Sequence, residues 1–157
     1  MEPFIFAPTF LSILGTGLVA GIFFAFSVFV MRTLGRLPPS GGIAAMQSIN
    51  VAVLNPVFFT AFFGTAALCL VLAIAAFAGW PPLYLLAGSL LYLVGTILVT
   101  IVCNVPLNNR LASVASDSAT GASLWTRYLS VWTFWNHVRT ATSLAAAACF
   151  IMALREL

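Results

Sequence analysis

The segment at residues 132–140, with the sequence WTFWNHVRT, holds the strongest candidates for chemistry. His137 is the only histidine in the chain, and Arg139 stands at the start of a long apolar run. An imidazole can move a proton near neutral pH, and a guanidinium can hold an anionic group. Ionisable side chains at membrane depth are costly and usually mark a working site. We therefore predict a site here, with His137, Arg139 and Asn136 as the candidate catalytic residues.

The helical geometry of this segment separates its two ionisable side chains. At about 100° per residue, one face of a helix carries four residues: Trp132, Asn136, Thr140 and Ser143. His137 and Arg139 flank that face on opposite sides, about 160° apart. They could grip a ligand from two sides, but they cannot stack on each other. A structural role stays open, because Arg139 could instead extend to lipid headgroups or cover Trp135.

Further amide side chains gather at the ends of other apolar runs. The predicted substrate-binding residues are these amides and two residues of the segment above: Gln47, Asn50, Asn55, Asn104, Asn108, Trp132 and Thr140. Two structural alternatives stay open. Asn55 before Pro56 is typical of a helix N-cap, and residues 104–108 (NVPLN) are typical of a helix end and turn. Gln47 and Asn50 are three residues apart within an apolar stripe, which favours amides that face the protein interior.

Other kinds of site are disfavoured by the residues present. A single histidine with no acid in any apolar run cannot supply a typical haem or metal site, so we predict no metal and no cofactor. The three cysteines, Cys69, Cys103 and Cys149, form no CxxC pair and are expected to be small core residues. The chain contains no phosphate-binding glycine loop and no nucleophile elbow. Its arginines are scattered, which disfavours a nucleic-acid partner.

The composition places these residues in a membrane protein. Of the 157 residues, 62% are hydrophobic and 6% are charged, with a net charge of +3. Soluble domains carry about 25% charged residues, so this chain cannot build a water-facing surface. A disordered chain is excluded for the same reason. We expect an integral, multi-pass protein of a bacterial-type inner or plasma membrane.

Four apolar runs are long enough to cross a bilayer, which takes roughly 20 residues. The predicted spans are residues 9–31, 56–79, 83–103 and 135–154, within one domain of residues 1–157. Only helices satisfy their backbone groups inside lipid within one segment, so the fold class is all-α, a bundle of four transmembrane helices. The turn at residues 79–84 (GWPPLY) predicts a hairpin of the second and third spans.

The topology brings the polar residues together at one end of this bundle. The two long connections, residues 32–55 and 104–134, emerge on the same side, and each is expected to carry a short helix, at 43–54 and 123–134. Most arginines lie on that side, so it is predicted to be cytoplasmic and both termini outside. Because consecutive spans run in opposite directions, the amides, His137 and Arg139 are expected to share one chamber at this end of the bundle.

Small residues and aromatic residues predict how the bundle packs. Gly17 and Gly21 form a GxxxG motif, and Gly88 and Gly95 lie on the third span, so all four are expected at helix contacts. An aromatic stripe recurs at helical spacing before the last span: Trp125, Tyr128 and Trp132, with Leu129 beside them. We expect this stripe to form an interfacial belt rather than a stacking platform.

Several motifs of the chain, taken in order, resemble the anthrone oxygenase family of small membrane proteins. They are FFAFS at 23–27 with VMR at 30–32 and LPP at 37–39, MQSIN at 46–50, NP at 55–56, NVPLN at 104–108, and the 132–140 segment. Each motif alone is weak, but together they cover most of the chain. The resemblance implies four membrane helices. For fungal members it implies the oxidation of anthrones to anthraquinones by dioxygen, without a metal or flavin.

This resemblance leads to a hypothesis for the chemistry. An electron-rich substrate must lose a proton before its anion can give an electron to dioxygen, so the site needs a base and anion-stabilising donors. His137 would be the base, and Arg139 with the amides of Asn136, Asn104 and Gln47 would stabilise the oxyanion. A hydrophobic small molecule that enters from the bilayer would be the substrate.

The alternative is a non-catalytic membrane module that binds a lipid, a quinone or a partner protein through the same polar end. In that case the polar residues of the last helix are interhelical hydrogen-bond donors. Dioxygen uptake with a model anthrone separates the two hypotheses. The oligomeric state stays open, a homo-oligomer included.

Overall fold

A computed structural model describes residues 3–78 and 82–156 of the chain. Every regular element in those ranges is helical, and three of the helical segments are π-helical. The α-helices are α1 (Pro3–Ala25), α2 (Met31–Leu34), α3 (Pro39–Ala52), α4 (Pro56–Phe77), α5 (Pro82–Tyr92), α6 (Val105–Ala112) and α7 (Ala119–Glu156). The π-helical segments are Phe26–Val30, Leu93–Leu98 and Thr100–Asn104. The predicted hairpin turn at residues 79–84 lies largely outside the described residues.

Four continuous helices are long and apolar enough to cross a membrane, which confirms the fold class and the order of the spans. They are Phe4–Leu34, Pro56–Phe77, Leu83–Ala112 and Ala119–Glu156, called the first to fourth spans below. The fourth span is the centre of the bundle, since it packs against the first and the third spans and against α3. The second span packs on the first and third from the other side.

The fourth span is longer than predicted. The short helix expected at residues 123–134 and the span expected at 135–154 are one helix, Ala119–Glu156. The physical reason is visible in the sequence, because residues 122–156 contain neither glycine nor proline and nothing interrupts the hydrogen-bond ladder. The 132–140 segment therefore lies inside a rigid rod and not at a helix start.

The third span also continues past its predicted end. Residues 104–108 were expected to end the helix, yet it runs on through α6 to Ala112. A π-helical segment makes this possible. The Val105 amide bonds to the Thr100 carbonyl five residues earlier, so Pro106, which has no amide proton, stands where the ladder changes its spacing.

The two long connections meet at one end of the bundle, as the topology predicts. A buried cluster joins the end of the first span, α3, α6 and the beginning of the fourth span: Met31, Leu34, Ile43, Met46, Leu111, Trp125, Tyr128 and Trp132. α3 corresponds to the short helix predicted at 43–54, but it starts four residues earlier, at Pro39, and ends two residues earlier, at Ala52. Asn55 caps the second span, because its Oδ1 accepts a hydrogen bond from the Phe58 amide at 3.0 Å.

The aromatic stripe belongs to this cluster and is no interfacial belt, so that expectation is wrong. Trp125, Tyr128 and Trp132 are all buried. Their rings stack in sequence, with centroids 5.6 Å apart for the first pair and 6.0 Å for the second. The physical reason is that α3 and α6 cover the face of the fourth span that would otherwise meet the headgroups.

The glycine predictions are correct for two positions and wrong for two others. Gly88 lies against the Phe150 ring, and Gly95 lies against Thr142, so both mark close helix contacts as expected. A Cβ added at Gly17 or Gly21 would meet no other part of the described structure within 4 Å, and both glycines are exposed on the outer surface of the bundle. The packing role expected of this GxxxG motif is therefore wrong within the chain. The first span packs instead through neighbouring positions such as Gly15, which faces Thr65.

Candidate functional site

An apolar chamber of about 200 Å³ lies between α3, the first span and the other three spans. Most of its wall is phenylalanine and aliphatic side chains from the first three spans, α3 and the residues that follow α3. The residues that give the chamber its polar and aromatic character are Phe23, Asn50, Thr100, Asn108, Trp132 and Arg139. This chamber is the candidate functional site, because it is the place where an apolar wall and hydrogen-bond donors meet.

Arg139 is the charged group of the chamber. Its side chain is only 4% exposed. The guanidinium carbon lies 4.1 Å from the centre of the Phe23 ring and 5.1 Å from that of the Trp132 ring. Both rings are therefore within cation–π distance, and they hold the flat cation against the chamber wall.

The hydrogen-bond partners of Arg139 are all neutral. Its Nη2 donates to Asn136 Oδ1 at 2.8 Å, and its Nη1 donates to Thr100 Oγ1 at 3.3 Å. Its Nε is buried and has no partner among the described residues. The sequence holds only three acidic residues. They are Glu2 near the start of the chain, Asp117 just before the fourth span and Glu156 at its end, so no acidic residue occurs in the interior of any span. The guanidinium thus faces the chamber with an uncompensated positive charge.

Asn136 fixes the guanidinium from behind. Its Nδ2 donates to the Phe23 carbonyl at 2.7 Å and to Ser27 Oγ at 2.7 Å, while its Oδ1 accepts from Arg139. These bonds cross from the fourth span to the first at the π-helical segment Phe26–Val30, where the wider turn opens the regular ladder. Both the Nδ2 and the Oδ1 of Asn136 are therefore hydrogen-bonded. Asn136 positions Arg139 but does not line the chamber.

The amides of the chamber wall offer further donors. Asn108 Oδ1 accepts hydrogen bonds from Tyr128 Oη at 2.7 Å and from Trp132 Nε1 at 2.8 Å, so its NH₂ group remains free to donate. Asn50 also lines the chamber, and its buried Nδ2 has no partner among the described residues. No acid, histidine, lysine or cysteine occurs among the described residues that line the chamber, so the wall donates to a ligand and offers it no strong base.

One side of the chamber reaches the outer surface of the bundle. The lining residues on that side are apolar and exposed: Leu54, Phe59, Phe63, Ile101 and Val105. They come from the second and third spans and from the residues that precede the second span. In a bilayer this side faces lipid, so a hydrophobic ligand has a path from the membrane to Arg139.

Nine of the ten predicted site residues fall into three groups in the structure. Asn50, Asn108, Trp132 and Arg139 line the chamber. Asn136, Thr140 and Asn104 are buried behind it; Thr140 bonds to the Asn136 carbonyl at 2.9 Å, and Asn104 donates to the Trp132 carbonyl at 3.2 Å. Gln47 and Asn55 lie outside: Gln47 donates to the carbonyls of Leu111 and Val114, and Asn55 is the helix cap.

His137 does not share the chamber, so the expectation of one chamber for all these side chains is wrong for it. Its ring is exposed on the far side of the fourth span and lines a separate open groove with Ser27, Arg32, Arg36 and Thr133. The helical geometry accounts for this, because His137 and Arg139 point away from each other on one rigid rod. The catalytic role of His137 stays a prediction.

Three residues of the site were not found from the sequence. Thr100 bonds Arg139, Tyr128 orients Asn108, and Phe23 supports the guanidinium. Thr100 had a detectable signal, since it lies one helical turn before Asn104 on the same face of the third span. Phe23 had none, because a phenylalanine in an apolar span looks like any other lipid or core residue.

Comparison with known families gives one match. The family model described as anthrone oxygenase matches residues 58–149, more than half of the chain. This chain belongs to the anthrone oxygenase family. No curated protein and no solved structure matches the chain.

The part of the chain that matches the anthrone oxygenase family contains most of the polar chamber. Thr100, Asn108, Trp132, Asn136 and Arg139 all fall within residues 58–149, whereas Asn50 and Phe23 precede them. Within residues 3–78 and 82–156, no group of three or more His, Cys, Asp or Glu side chains could hold a metal ion. The matched region thus covers the second, third and fourth spans around the chamber, while the first span and α3 complete it from outside that region.

Proposed function

We propose that this protein oxidises a flat polycyclic phenol of the anthrone type with dioxygen, and that the chamber binds the ionised form of that substrate. The observation that carries the proposal is the buried guanidinium of Arg139, which contacts two aromatic rings and pairs with no carboxylate among the described residues. A buried cation without a counterion favours an anionic ligand. Membership of the anthrone oxygenase family supports the same substrate class.

The chamber wall suits the body of such a ligand. Phenylalanine rings from the second span and the Trp132 ring offer flat contacts, and aromatic pairs gain energy beyond the area they bury. The volume of about 200 Å³ is small, below the roughly 300–1,000 Å³ of sites for drug-sized molecules. A compact ring system matches this size better than a lipid with two acyl chains does.

The reaction balances without a further reductant. The enolate of the anthrone gives one electron to dioxygen, and the superoxide formed joins the ring carbon opposite the oxygen. The peroxide takes back a proton, and cleavage of its O–O bond with loss of the remaining hydrogen leaves a carbonyl group and water. One oxygen atom stays in the quinone, and the other leaves as water.

Arg139 acts in this scheme by stabilising negative charge. Its guanidinium faces the enolate oxygen in the ground state, and the free donors of Asn50 and Asn108 are available to the peroxide anion. Because the described wall contains no strong base, the substrate binds as the anion, and the positive charge of Arg139 shifts ionisation in that direction. The substrate loses its proton before it enters the chamber, to water or to a base outside the chamber; the sequence hypothesis names His137 as such a base.

The experiment measures dioxygen uptake with anthrone, using protein in phosphatidylcholine vesicles and subtracting autoxidation in empty vesicles. We expect turnover by the native chain and a loss of about 100-fold or more in Arg139→Gln, the cost of removing a principal anion-stabilising donor. Arg110→Gln is the matched control, because Arg110 is exposed and lies outside the chamber.

Two outcomes would contradict the proposal. Full turnover in Arg139→Gln would remove Arg139 from the reaction. Binding of anthrone by the native chain without dioxygen uptake would favour the non-catalytic membrane module. The part of the tryptophan fluorescence change that is lost in Trp132→Phe reports that binding independently of turnover, since the chain has four tryptophans.

A further inference from the structure

The groove that contains His137 is a second polar site, and the oxidation chemistry does not use its arginines. It runs between the end of the first span and the fourth span. Arg32 and Arg36 lie four residues apart on one wall, and Thr133 and His137 lie four residues apart on the other. Thr133 and His137 share one face of the fourth span, because residues four apart on a helix lie on the same face. Arg32 lies in α2 and Arg36 in the turn that follows it, so a helix end and its turn form the opposite wall.

The groove has a strong positive bias. Arg32 and Arg36 are both exposed there, and no acidic residue occurs among the described residues that line it. The hydroxyls of Ser27 and Thr133 and the imidazole add hydrogen-bonding groups. Thr133 Oγ1 is buried and has no partner among the described residues. This set of groups matches a phosphate, which carries charge and accepts several hydrogen bonds.

The apolar part of the lining distinguishes between sources of that phosphate. Met31 and Leu129 line the groove beside the arginines, so a ligand there meets both charge and hydrocarbon. Arg32 and Arg36 follow the apolar part of the first span, at the level where headgroups lie. Basic pockets between helices at this level are typical binding sites for anionic lipid headgroups.

We infer that this groove binds the phosphate of an anionic phospholipid, with Arg32 and Arg36 on the phosphate and Met31 and Leu129 beside the first acyl carbons. The site is separate from the chamber and does not depend on the proposed oxidation. The bound lipid covers the far side of the fourth span, opposite Arg139.

The test reconstitutes the full chain in phosphatidylcholine vesicles that contain phosphatidylglycerol, extracts it in mild detergent and quantifies the retained phosphatidylglycerol by mass spectrometry. The double variant Arg32→Gln/Arg36→Gln removes both groove arginines. The matched control is Arg110→Gln/Arg127→Gln, which removes two exposed arginines outside the groove at the same end of the bundle.

We expect the groove variant to retain about 25-fold less phosphatidylglycerol, since each of its two arginines near a headgroup is worth about fivefold in affinity. The control should retain as much as the native chain. Equal losses in both double variants would overturn the site, because general surface charge would then explain retention. If inorganic phosphate alone binds the native chain, and phosphatidylglycerol is not retained above phosphatidylcholine, the lipid assignment is wrong.

Folding of the groove variant is checked by its elution profile and thermal unfolding in detergent. Should that variant aggregate, the single variants His137→Gln and Arg36→Gln carry the test, because each changes one exposed side chain. Loss of phosphatidylglycerol in these single variants, relative to Arg110→Gln, supports the site. Native retention in both of them contradicts it.

Discussion

The chamber and the groove use the same kind of side chain under opposite conditions. In the chamber a single arginine is buried between aromatic rings and bonded to neutral groups. In the groove two arginines are exposed and have hydroxyls and hydrocarbon beside them. A buried guanidinium interacts strongly with charge that develops next to it, while an exposed one is screened. Burial and the absence of a nearby counterion, more than residue type, therefore separate a candidate reaction site from a candidate lipid site.

A short hydrogen-bond path joins the two regions. Ser27 lines the groove and accepts from Asn136, which in turn accepts from Arg139 in the chamber. Thr140 completes this contact, because its hydroxyl lies 3.2 Å from that of Ser27. Asn136 thus connects the groove and the chamber through its hydrogen bonds to Ser27 and Arg139.

The largest effect is expected from giving Arg139 a counterion of its own. Thr100→Asp would place a carboxylate beside Nη1, where Thr100 Oγ1 now accepts. An internal ion pair would compete with the substrate anion, so turnover of anthrone should fall by about 100-fold. Thr100→Asn has the same shape without the charge and is the control; equal losses in the two variants would show that the charge of Arg139 is not what the reaction needs.

A smaller effect is expected from removing the residue that joins the two regions. Asn136→Ala leaves Arg139 Nη2, the Phe23 carbonyl and Ser27 with fewer partners. The free energy of unfolding should fall by about 1–2 kcal/mol, measured in detergent. Anthrone turnover should fall by about tenfold, because a less well positioned Arg139 stabilises the transition state less, and each 1.4 kcal/mol of lost transition-state stabilisation lowers the rate about tenfold. A change in stability with native turnover would make Asn136 a purely structural residue.

The smallest effect on oxidation is expected at His137. Its ring lies in the groove, so His137→Ala should reduce phosphatidylglycerol retention and lower anthrone turnover far less than Arg139→Gln does. A general base contributes about 100-fold or more. A loss of that size would establish His137 as the base and require a proton route between groove and chamber. Turnover and lipid retention measured on the same preparation separate the two results.

Much of the architecture follows from composition alone. Four apolar runs in a chain with 6% charged residues have to become helices in lipid, and alternating direction brings the two connections to one end. The buried face of the fourth span was also predictable, because Trp132, Asn136 and Thr140 recur at helical spacing and are all buried. Periodicity is reliable here because the helix is one uninterrupted rod.

The sequence did not show which of the polar residues line the chamber. Gln47, Asn50 and Asn108 look equivalent as amides at helix ends, yet Gln47 ties α3 to the connection after α6 while the other two line the chamber. A side chain's partners depend on how neighbouring helices are rotated about their axes. Single-span periodicity leaves that rotation undetermined.

Composition and helical spacing were enough to predict a four-span bundle, a polar end and a pair of ionisable residues that point apart on the last helix. The way the helices pack was needed to show that Arg139 points inward to an aromatic chamber and His137 outward to a groove with two arginines. The physical reason is that helix periodicity fixes the angle between two side chains, whereas the packing of the first and third spans against the fourth fixes which of them is buried.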